Sequence, residues 1–196
     1  MKQIAYKKIV DSALAKGAIL NEGCAGFRED YLVLHCLLRK YKPKRFFELG
    51  TNLGVGTAII KNALGDDSEV LSLDLPTELA HTSKQHPISE GKGNHLGELC
   101  KLPFTQLLGD SMKYDYAQHY PIDGWFIDGE HDYKHPHHET LMAIESGAKI
   151  IIWHDADMVL VNFDIRDAMA WAKNYELYHV KGTRIAYAIK TKEANY

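Results

Sequence analysis

Residues 45 to 64, which read RFFELGTNLGVGTAIIKNAL, decide the fold of this chain. RFFEL is a short, mostly apolar run of strand length that ends at Gly50, and VGTAIIKNAL has the apolar spacing of a helix closed by Gly65. The glycines between them, at 50, 54 and 56, permit a tight turn and a close approach of the backbone to a ligand. Strand, glycine-rich loop and helix in this order predict an α/β sheet that binds a ligand at the loop.

The same alternation of strand and helix continues on both sides of this stretch. Strands are predicted at 69–75, 104–109, 124–128 and 149–155, with helices at 2–16, 28–41, 135–148 and 160–174 and a terminal hairpin of 176–180 and 184–190. This alternation predicts a doubly wound, mostly parallel sheet, here of seven strands, with helices on both faces and an antiparallel terminal strand. We expect one domain over 1–196, with N-terminal helices in 1–42 that would serve as a lid and a long loop or insertion at 76–103.

Composition and charge narrow the kinds of partner. The net charge of −3 indicates no basic surface for nucleic acid, so we expect a small molecule as the ligand. No apolar run reaches the length that spans a membrane. The cysteines Cys24, Cys36 and Cys100 have no paired spacing, which indicates reduced thiols and a cytoplasmic location. The oligomeric state is not readable from the sequence, and a homodimer stays open.

The loop ELGTNLGVG, residues 48–56, departs from the dinucleotide-binding pattern. In that pattern the glycines are spaced by two and then three residues, whereas here the spacing is four and then two. Glu48 stands just before the first glycine, where it would repel a pyrophosphate but suit a ligand that carries an amino group. A structural turn without a ligand is the alternative.

Two further carboxylates stand at the ends of predicted strands. Asp74 is near the end of the strand at 69–75, where an acidic residue usually accepts hydrogen bonds from both ribose hydroxyls. Asp110, in the sequence GDS after the next strand, suits either an adenine amino group or the cap of a following helix. The first of these readings predicts that a nucleoside lies along this edge of the sheet.

A third group of polar residues follows the strands at 124–128 and 149–155. Asp128 ends the first of them, and His154 and Asp155 end the second. Because neighbouring parallel strands end at one edge, these side chains are expected to lie together, and two carboxylates with an imidazole suit a divalent metal. Caps of the following helices are the alternative for the two aspartates.

The stretch WFIDGEHDYKHPHHE, residues 125–139, is rich in histidine. His131 lies in a loop close to Asp128, where its imidazole could act as a base near neutral pH. Pro136 is well placed as the first residue of a helix, which assigns the other histidines to the start of that helix. We interpret His135, His137 and His138 as surface residues; the zinc-protease pattern HExxH is absent.

Taken in order, ELGTNLGVGT, SLDL, LLGDS, FIDGEHDY and IIWHDAD resemble the motifs of the class I S-adenosylmethionine-dependent methyltransferases. The closer resemblance is to the metal-dependent O-methyltransferases, including methyltransferase family 24, the catechol O-methyltransferase type and the cephalosporin hydroxylase-like proteins. It covers roughly residues 30 to 190. The cofactor-binding residues that the resemblance implies are Glu48, Gly50, Thr51, Asn52, Gly54, Asp74, Asp110, Ser111 and Asp128.

The same resemblance implies a metal site and a catalytic base. Asp128, His154 and Asp155 match the metal-binding positions, although relatives usually have an acid or amide at the position of His154. This departure favours manganese, iron or zinc slightly over magnesium. His131 stands where relatives place their general base. The implied reaction is methyl transfer to a hydroxyl of a small acceptor, which the metal would bind and His131 would deprotonate; a catechol, a sugar and a polyketide-like acceptor all stay open.

Two other functions remain open from the sequence. The first is a zinc or other metal-dependent hydrolase that uses His135, His137 and His138 as ligands. The second is a non-catalytic homologue that keeps the cofactor pocket and has lost turnover. A doubly wound fold is compatible with all three functions, so the fold alone cannot choose among them.

Overall fold

Eight strands form a single sheet in the computed structural model of the chain, which describes residues 1–20, 27–76 and 96–191. The strands are β1 (Lys2–Ala5), β2 (Arg45–Leu49), β3 (Glu69–Asp74), β4 (Thr105–Leu108), β5 (Gly124–Ile127), β6 (Ile150–Trp153), β7 (Tyr175–Lys181) and β8 (Ala186–Lys190). Their order across the sheet is β1-β7-β8-β6-β5-β2-β3-β4.

β8 runs against its neighbours. It lies between β6 and β7 and pairs antiparallel with both, whereas the other pairs are parallel. The prediction of a mostly parallel sheet with an antiparallel terminal strand is therefore confirmed. The chain runs from β2 outward to β3 and β4 and then returns to β5 on the other side of β2. The strand order thus reverses between β2 and β5, and ligands bind at the carboxyl ends of strands beside such a reversal.

Helices cover both faces of the sheet, as predicted. They are α1 (Arg28–Tyr41), α2 (Val55–Leu64), α3 (His135–Glu145) and α4 (Val159–Met169). Apolar side chains of α1 and α2 share one core cluster with Phe46, while those of α3 and α4 share a second cluster with Phe47. Adjacent residues of a strand point to opposite faces, so β2 contributes to both cores. This packing fixes the carboxyl ends of β2, β5 and β6 side by side.

The N-terminal segment differs from the prediction. The helix predicted over 2–16 is wrong: Lys2–Ala5 form β1, which pairs in parallel with β7, and one turn of 3-10 helix follows at Tyr6–Lys8. The sheet consequently has eight strands instead of seven. The apolar stripe of this segment was irregular, and backbone pairing with the free edge of β7 outweighs such a weak local preference. The helix predicted over 28–41 is confirmed as α1.

The remaining elements agree with the predictions apart from their ends. The largest difference is α4, which was predicted over 160–174 and ends at Met169. The predicted loop or insertion at 76–103 falls largely on residues 77–95, which lie outside the described residues, as does Cys24. Cys36 and Cys100 are buried free thiols. No helix in the described ranges has the length and apolar character needed to cross a bilayer.

Candidate active site

The glycine loop, residues 50–56, connects β2 to α2 at the carboxyl edge of the sheet. Gly50 and Gly54 have φ angles of 92° and 86°, in the left-handed region that side chains disfavour. A Cβ on Gly50 would collide with the carbonyl oxygen of Asp128. The backbone N–H of Asp128 in turn donates to the carbonyl oxygen of Leu49 at 3.0 Å. The absence of a side chain at Gly50 therefore lets the loops after β2 and β5 touch.

Residues 97–99 pack against the glycine loop from one side. The N–H of Gly97 donates to the carbonyl oxygen of Asn52, and the N–H of Leu99 donates to that of Leu53, both at 2.9 Å. A Cβ on Gly54 would come within 2.7 Å of the Cα of Gly97, so the two backbones meet only because Gly54 has no side chain. These contacts hold the loop in one conformation.

Glu48 is buried beneath the glycine loop, with 1% of its surface exposed. Its Oε2 accepts hydrogen bonds from the hydroxyls of Thr57 at 2.5 Å and Ser72 at 2.6 Å. Its Oε1 has no hydrogen-bond partner within the described residues. Burial raises the pKa of Glu48 to about 8, because the charged form is poorly solvated there. A nearby cationic group would favour the carboxylate again, which fits the amino-group ligand expected from the sequence.

Asp74 lies at the end of β3, close to the glycine loop. Its Oδ2 accepts from the backbone N–H of Asn52 and its Oδ1 from that of Leu75, both at 2.7 Å. Burial raises the pKa of this carboxyl above its usual value. Each oxygen retains a second lone pair, so the carboxylate still has room for two ligand hydroxyls. Thr51 is buried next to it, with its hydroxyl 2.6 Å from that of Ser72.

Asp110 and Ser111 follow β4 and have different surroundings. Asp110 accepts from the backbone N–H of Met112 at 3.0 Å and pairs with the ammonium group of Lys113 at 3.0 Å, which lowers its pKa. These contacts close a turn at 110–113, and no helix begins at this turn in the described part of the chain, so Asp110 is not the helix cap of the alternative. Its adenine role stays a prediction. Ser111 hydrogen-bonds Glu139 on α3. Glu139 is fully buried, and this burial raises its pKa to about 7.

The second part of the site is an acid–histidine rim, defined as Asp128, His131, His154 and Asp155, at the ends of β5 and β6. These strands are in register, with Ile127 opposite Trp153, so their following residues meet at one edge. Asp128, His131 and Asp155 each place one potential ligand atom within 4.8 Å of the others. His131 Nε2 lies 2.6 Å from Asp155 Oδ2, and this contact raises the pKa of His131.

His154 is held from two sides. Its Nε2 lies 3.2 Å from Oδ2 of Asp30, a buried carboxylate in the first turn of α1, and the two form a hydrogen bond. Its Nδ1 lies 3.3 Å from Asp128 Oδ1 and 3.1 Å from Asp155 Oδ2, but forms a hydrogen bond with neither. Burial disfavours the charged ring, yet the three carboxylates outweigh burial and raise the pKa of His154 to about 12.

Asp155 is the most highly connected residue of the rim. It has a φ of 52°, a conformation that residues with side chains rarely adopt, and its Oδ1 lies 2.7 Å from the Arg184 guanidinium. Burial alone would raise the pKa of Asp155, but the contacts with His131 and His154 hold it well below its usual range. Its charge therefore persists across the physiological pH range.

The donor atoms of the rim suit a divalent cation. Two carboxylates and an imidazole form a ligand set that manganese, iron and zinc accept. The sequence predicted Asp128, His154 and Asp155 as the ligands, and the structure brings these three together. The group whose ligand atoms lie within 4.8 Å contains His131 in place of His154. Both imidazoles consequently face the same pair of carboxylates, and the identity of the ligating histidine stays a prediction.

The other histidines of the 125–139 stretch have separate partners. His135 Nδ1 lies 2.6 Å from Asp132, and His137 Nε2 lies 3.3 Å from Asp167. Neither these two nor His138 belongs to the candidate metal group found among the described residues. The structure therefore does not assemble the ligand set that the hydrolase alternative requires.

Three residues of the site were missed by the sequence analysis: Asp30, Glu139 and Arg184. Asp30 carried a signal, because it lies on the buried stripe of α1 together with Val33 and Leu34. An acidic residue on the apolar side of a helix requires a partner, since an unpaired buried charge is costly. Arg184 lies in a hairpin and Glu139 in a first helical turn, positions where charged residues are common.

Comparison with solved structures identifies the fold of this chain. No family model and no curated protein matches the chain. Among solved structures, it resembles an O-methyltransferase from Bacillus cereus in complex with S-adenosylhomocysteine, at 16% identity and a TM-score of 0.58, covering 91% of this chain and 86% of the other. The S-adenosylhomocysteine-bound methyltransferase PaMTH1 of Podospora anserina has 10% identity and a TM-score of 0.61, covering 93% and 89%.

A third neighbour is the O-methyltransferase TomG of Streptomyces achromogenes, in complex with S-adenosylmethionine. It has 17% identity and a TM-score of 0.57, and the match covers 93% of this chain and 91% of that one. The similarity to these three structures extends over most of this chain and of each neighbour. Because the sequence identities are low, the similarity shows a shared fold. The chain has the fold of the S-adenosylmethionine-dependent methyltransferases.

Proposed function

We propose that this chain is an enzyme that transfers the methyl group of S-adenosylmethionine to a hydroxyl group of a small molecule, with a divalent cation at the acid–histidine rim. The observation that carries the proposal is the contact between the glycine loop and the rim. Gly50 of the loop touches the carbonyl of Asp128, the first residue of the rim. A cofactor on the loop and an acceptor at the rim would therefore be neighbours, as methyl transfer requires.

The cofactor side is supported by the environment of two carboxyls. Glu48 has a free, buried Oε1 beneath the glycine loop, suited to the cationic methionine part of the cofactor. Asp74 keeps lone pairs for the ribose hydroxyls at the end of the neighbouring strand. The solved neighbours named above contain S-adenosylmethionine or its product, which favours the same ligand here.

The acceptor side is supported by the donor set of the rim. A divalent cation bound there supplies Lewis acidity, which lowers the pKa of a hydroxyl. Asp128 and Asp155 would hold it together with an imidazole of the rim. We assign His131 to take the hydroxyl proton, because it lies beside these carboxylates and can be neutral near pH 7. Asp155 raises the pKa of His131, so methyl transfer should increase with pH as this imidazole loses its proton.

The net charge of the chain supports a small-molecule acceptor. With a net charge of −3, the protein has no excess of basic residues to attract a polyanion. Catechol, sugar and polyketide-like hydroxyls all suit a cation-assisted transfer. The non-catalytic alternative predicts cofactor binding without turnover on any of these acceptors.

Calorimetry with S-adenosylhomocysteine, with and without Mn²⁺, tests the proposal. We expect cofactor binding in both conditions, and Mn²⁺-dependent methyl transfer when S-adenosylmethionine is incubated with a panel of catechol, sugar and polyketide-like acceptors. A chain that binds the cofactor in neither condition is not a methyltransferase.

The variant His131→Ala separates binding from chemistry. It should leave cofactor affinity unchanged and lower turnover by about 100-fold or more, the usual contribution of a general base. His135→Ala is the matched control, because His135 lies four residues away and pairs with Asp132 outside the rim. Equal turnover of the two variants would remove His131 from the mechanism.

A further inference from the structure

Asp30 is separated by 124 residues from His154, yet the two form a hydrogen bond at the site. Asp30 is buried, with 4% of its surface exposed, and comes from the first turn of α1. Its Oδ1 accepts the backbone N–H of Arg184 at 2.9 Å, and its Oδ2 faces His154. Both oxygens are thus engaged with the site, although Asp30 belongs to none of the motifs of the sequence.

Two aromatic rings near the start of α1 pack against the imidazole of His154. Phe27 meets the ring of His154 edge-on at 5.4 Å between centroids, and Tyr31 stacks on it at 6.3 Å. His154 itself is 6% exposed. For a ring buried in this way, the hydrogen-bond partners determine which nitrogen carries hydrogen.

A carboxylate accepts hydrogen bonds and does not donate them. The hydrogen bond with Asp30 therefore places a hydrogen on Nε2 of His154. An imidazole binds metals through a nitrogen without hydrogen. Because Asp30 holds the hydrogen of Nε2, a cation that binds this ring takes Nδ1 and displaces the hydrogen that the raised pKa of His154 keeps there. Nδ1 points at Asp128 and Asp155, at 3.3 and 3.1 Å, without a hydrogen bond to either.

We infer that Asp30 is a positioning residue: by accepting the Nε2 hydrogen of His154, it directs Nδ1 toward the divalent cation of the acid–histidine rim. The arrangement is a carboxylate–histidine–metal triad, in which the outer carboxylate sets the tautomer and orientation of the ligand. The inference rests on the proposed function for the existence of the cation and adds a residue that lies outside the metal-binding motifs.

The variant Asp30→Asn tests the inference. An asparagine offers one acceptor and one donor group, and the N–H of Arg184 requires the acceptor. The amide NH₂ would then face Nε2 and move the imidazole hydrogen to Nδ1. We expect Mn²⁺ affinity in calorimetry to fall about 10- to 100-fold, the usual cost of losing such a carboxylate, while S-adenosylhomocysteine affinity stays unchanged. Glu29→Gln, at the exposed neighbouring position, is the control and should bind Mn²⁺ like the wild type.

A second measurement needs no variant. In the ¹⁵N-histidine-labelled wild-type protein, two-bond ¹H–¹⁵N spectra should show His154 with hydrogen on Nε2, and addition of diamagnetic Zn²⁺ should shift Nδ1. A Zn²⁺-induced shift at Nε2, or at neither nitrogen of His154, would overturn the inference, as would wild-type Mn²⁺ affinity in folded Asp30→Asn. Wild-type protein that binds S-adenosylhomocysteine but no divalent metal would overturn the triad and leave methyl transfer standing. Protein that binds neither would overturn the proposed function as well.

Discussion

The two halves of the candidate site treat their carboxylates in opposite ways. Around the glycine loop, Glu48 and Asp74 are held by hydroxyls and backbone N–H groups, none of which carries a charge, and burial raises the pKa of both. At the acid–histidine rim, Asp155 contacts two imidazoles and a guanidinium, and its pKa lies well below the usual range. Burial thus disfavours the charged form of the carboxyl groups in one half, whereas cationic partners favour the charged form of Asp155 in the other.

The difference indicates what each half is built to receive. A buried carboxyl with neutral partners gains most from a ligand that brings its own positive charge, as the sulfonium and ammonium groups of S-adenosylmethionine do. The ionised carboxylates of the rim are already compensated by side chains, and a metal that binds there must compete with those side chains. The cofactor half is therefore expected to respond to pH, and the rim to divalent ions.

The largest effect is expected from breaking the rim at Asp155. Asp155→Asn leaves the Arg184 guanidinium and two imidazoles without their central partner. Loss of one member of a buried ion pair costs about 3 kcal/mol of unfolding free energy, and loss of cation-assisted catalysis should lower turnover by at least about 100-fold. Thermal unfolding and turnover measure both effects. Asp157→Asn is the control, since Asp157 pairs with the same arginine but is exposed; equal losses in both variants would contradict a special role for Asp155.

The cofactor half is tested next by Asp74→Ala. Under the proposed function, the variant removes the acceptor for two ribose hydroxyls, and hydrogen bonds to a charged group contribute about 1.5 to 3 kcal/mol. S-adenosylhomocysteine affinity in calorimetry should therefore fall roughly 10- to 100-fold, while Mn²⁺ affinity is retained. A loss of Mn²⁺ affinity with unchanged cofactor affinity would reverse the assignment of the two halves.

At Glu48 the expected effect is a change of stability with pH and not a loss at a single pH. Its pKa is raised from an ordinary 4.5 to about 8, so the folded protein binds this proton more tightly than the unfolded chain does. The contribution of Glu48 to stability is thus fully present below the unfolded pKa and is lost as pH rises through 8, by up to about 1.4 kcal/mol per pH unit. Glu48→Gln removes this titration, so the stability of the wild type relative to Glu48→Gln should fall from pH 5 to pH 8 in urea unfolding. A constant difference would contradict the raised pKa.

The smallest effect is expected at His137, which lies outside both halves. His137→Ala breaks a partly exposed pair with Asp167, and such pairs contribute about 0.5 kcal/mol or less. Turnover, Mn²⁺ affinity and Zn²⁺ affinity should all equal those of the wild type. A loss of Zn²⁺ affinity in this variant would favour the hydrolase alternative, in which the surface histidines bind the metal.

Most of the fold could be predicted because its signals are local. Between residues 45 and 190 the strands are short apolar runs, and glycines such as Gly50 and Gly65 mark the turns. β1 carried no such signal, since it is a strand only through its pairing with β7, where Lys2 lies opposite Tyr178. A contact over so many residues leaves no trace in the periodicity of a four-residue strand.

The candidate site was predictable to a similar extent and for the same reason. The rule that ligands bind at the carboxyl ends of parallel strands located Asp74, Asp128 and Asp155 from the sequence. The rule does not locate Asp30 or the partners that shift the pKa of each carboxyl group. Asp30 and these partners come from other parts of the chain. The sequence also treated the histidines of the rim as one ligand and one base, whereas both imidazoles face the same carboxylates in the structure.

The place of β8 between β6 and β7 bears on the order in which the two halves arise during folding. Glu48 finds Thr57 and Ser72 within 24 residues, but Asp30 meets Arg184 over a separation of 154. Contacts between distant segments form late, because the entropy of a large loop is lost before they stabilise the chain. A refolding chain is therefore expected to organise the surroundings of Glu48 first, and to complete the acid–histidine rim only when β8 inserts between β6 and β7.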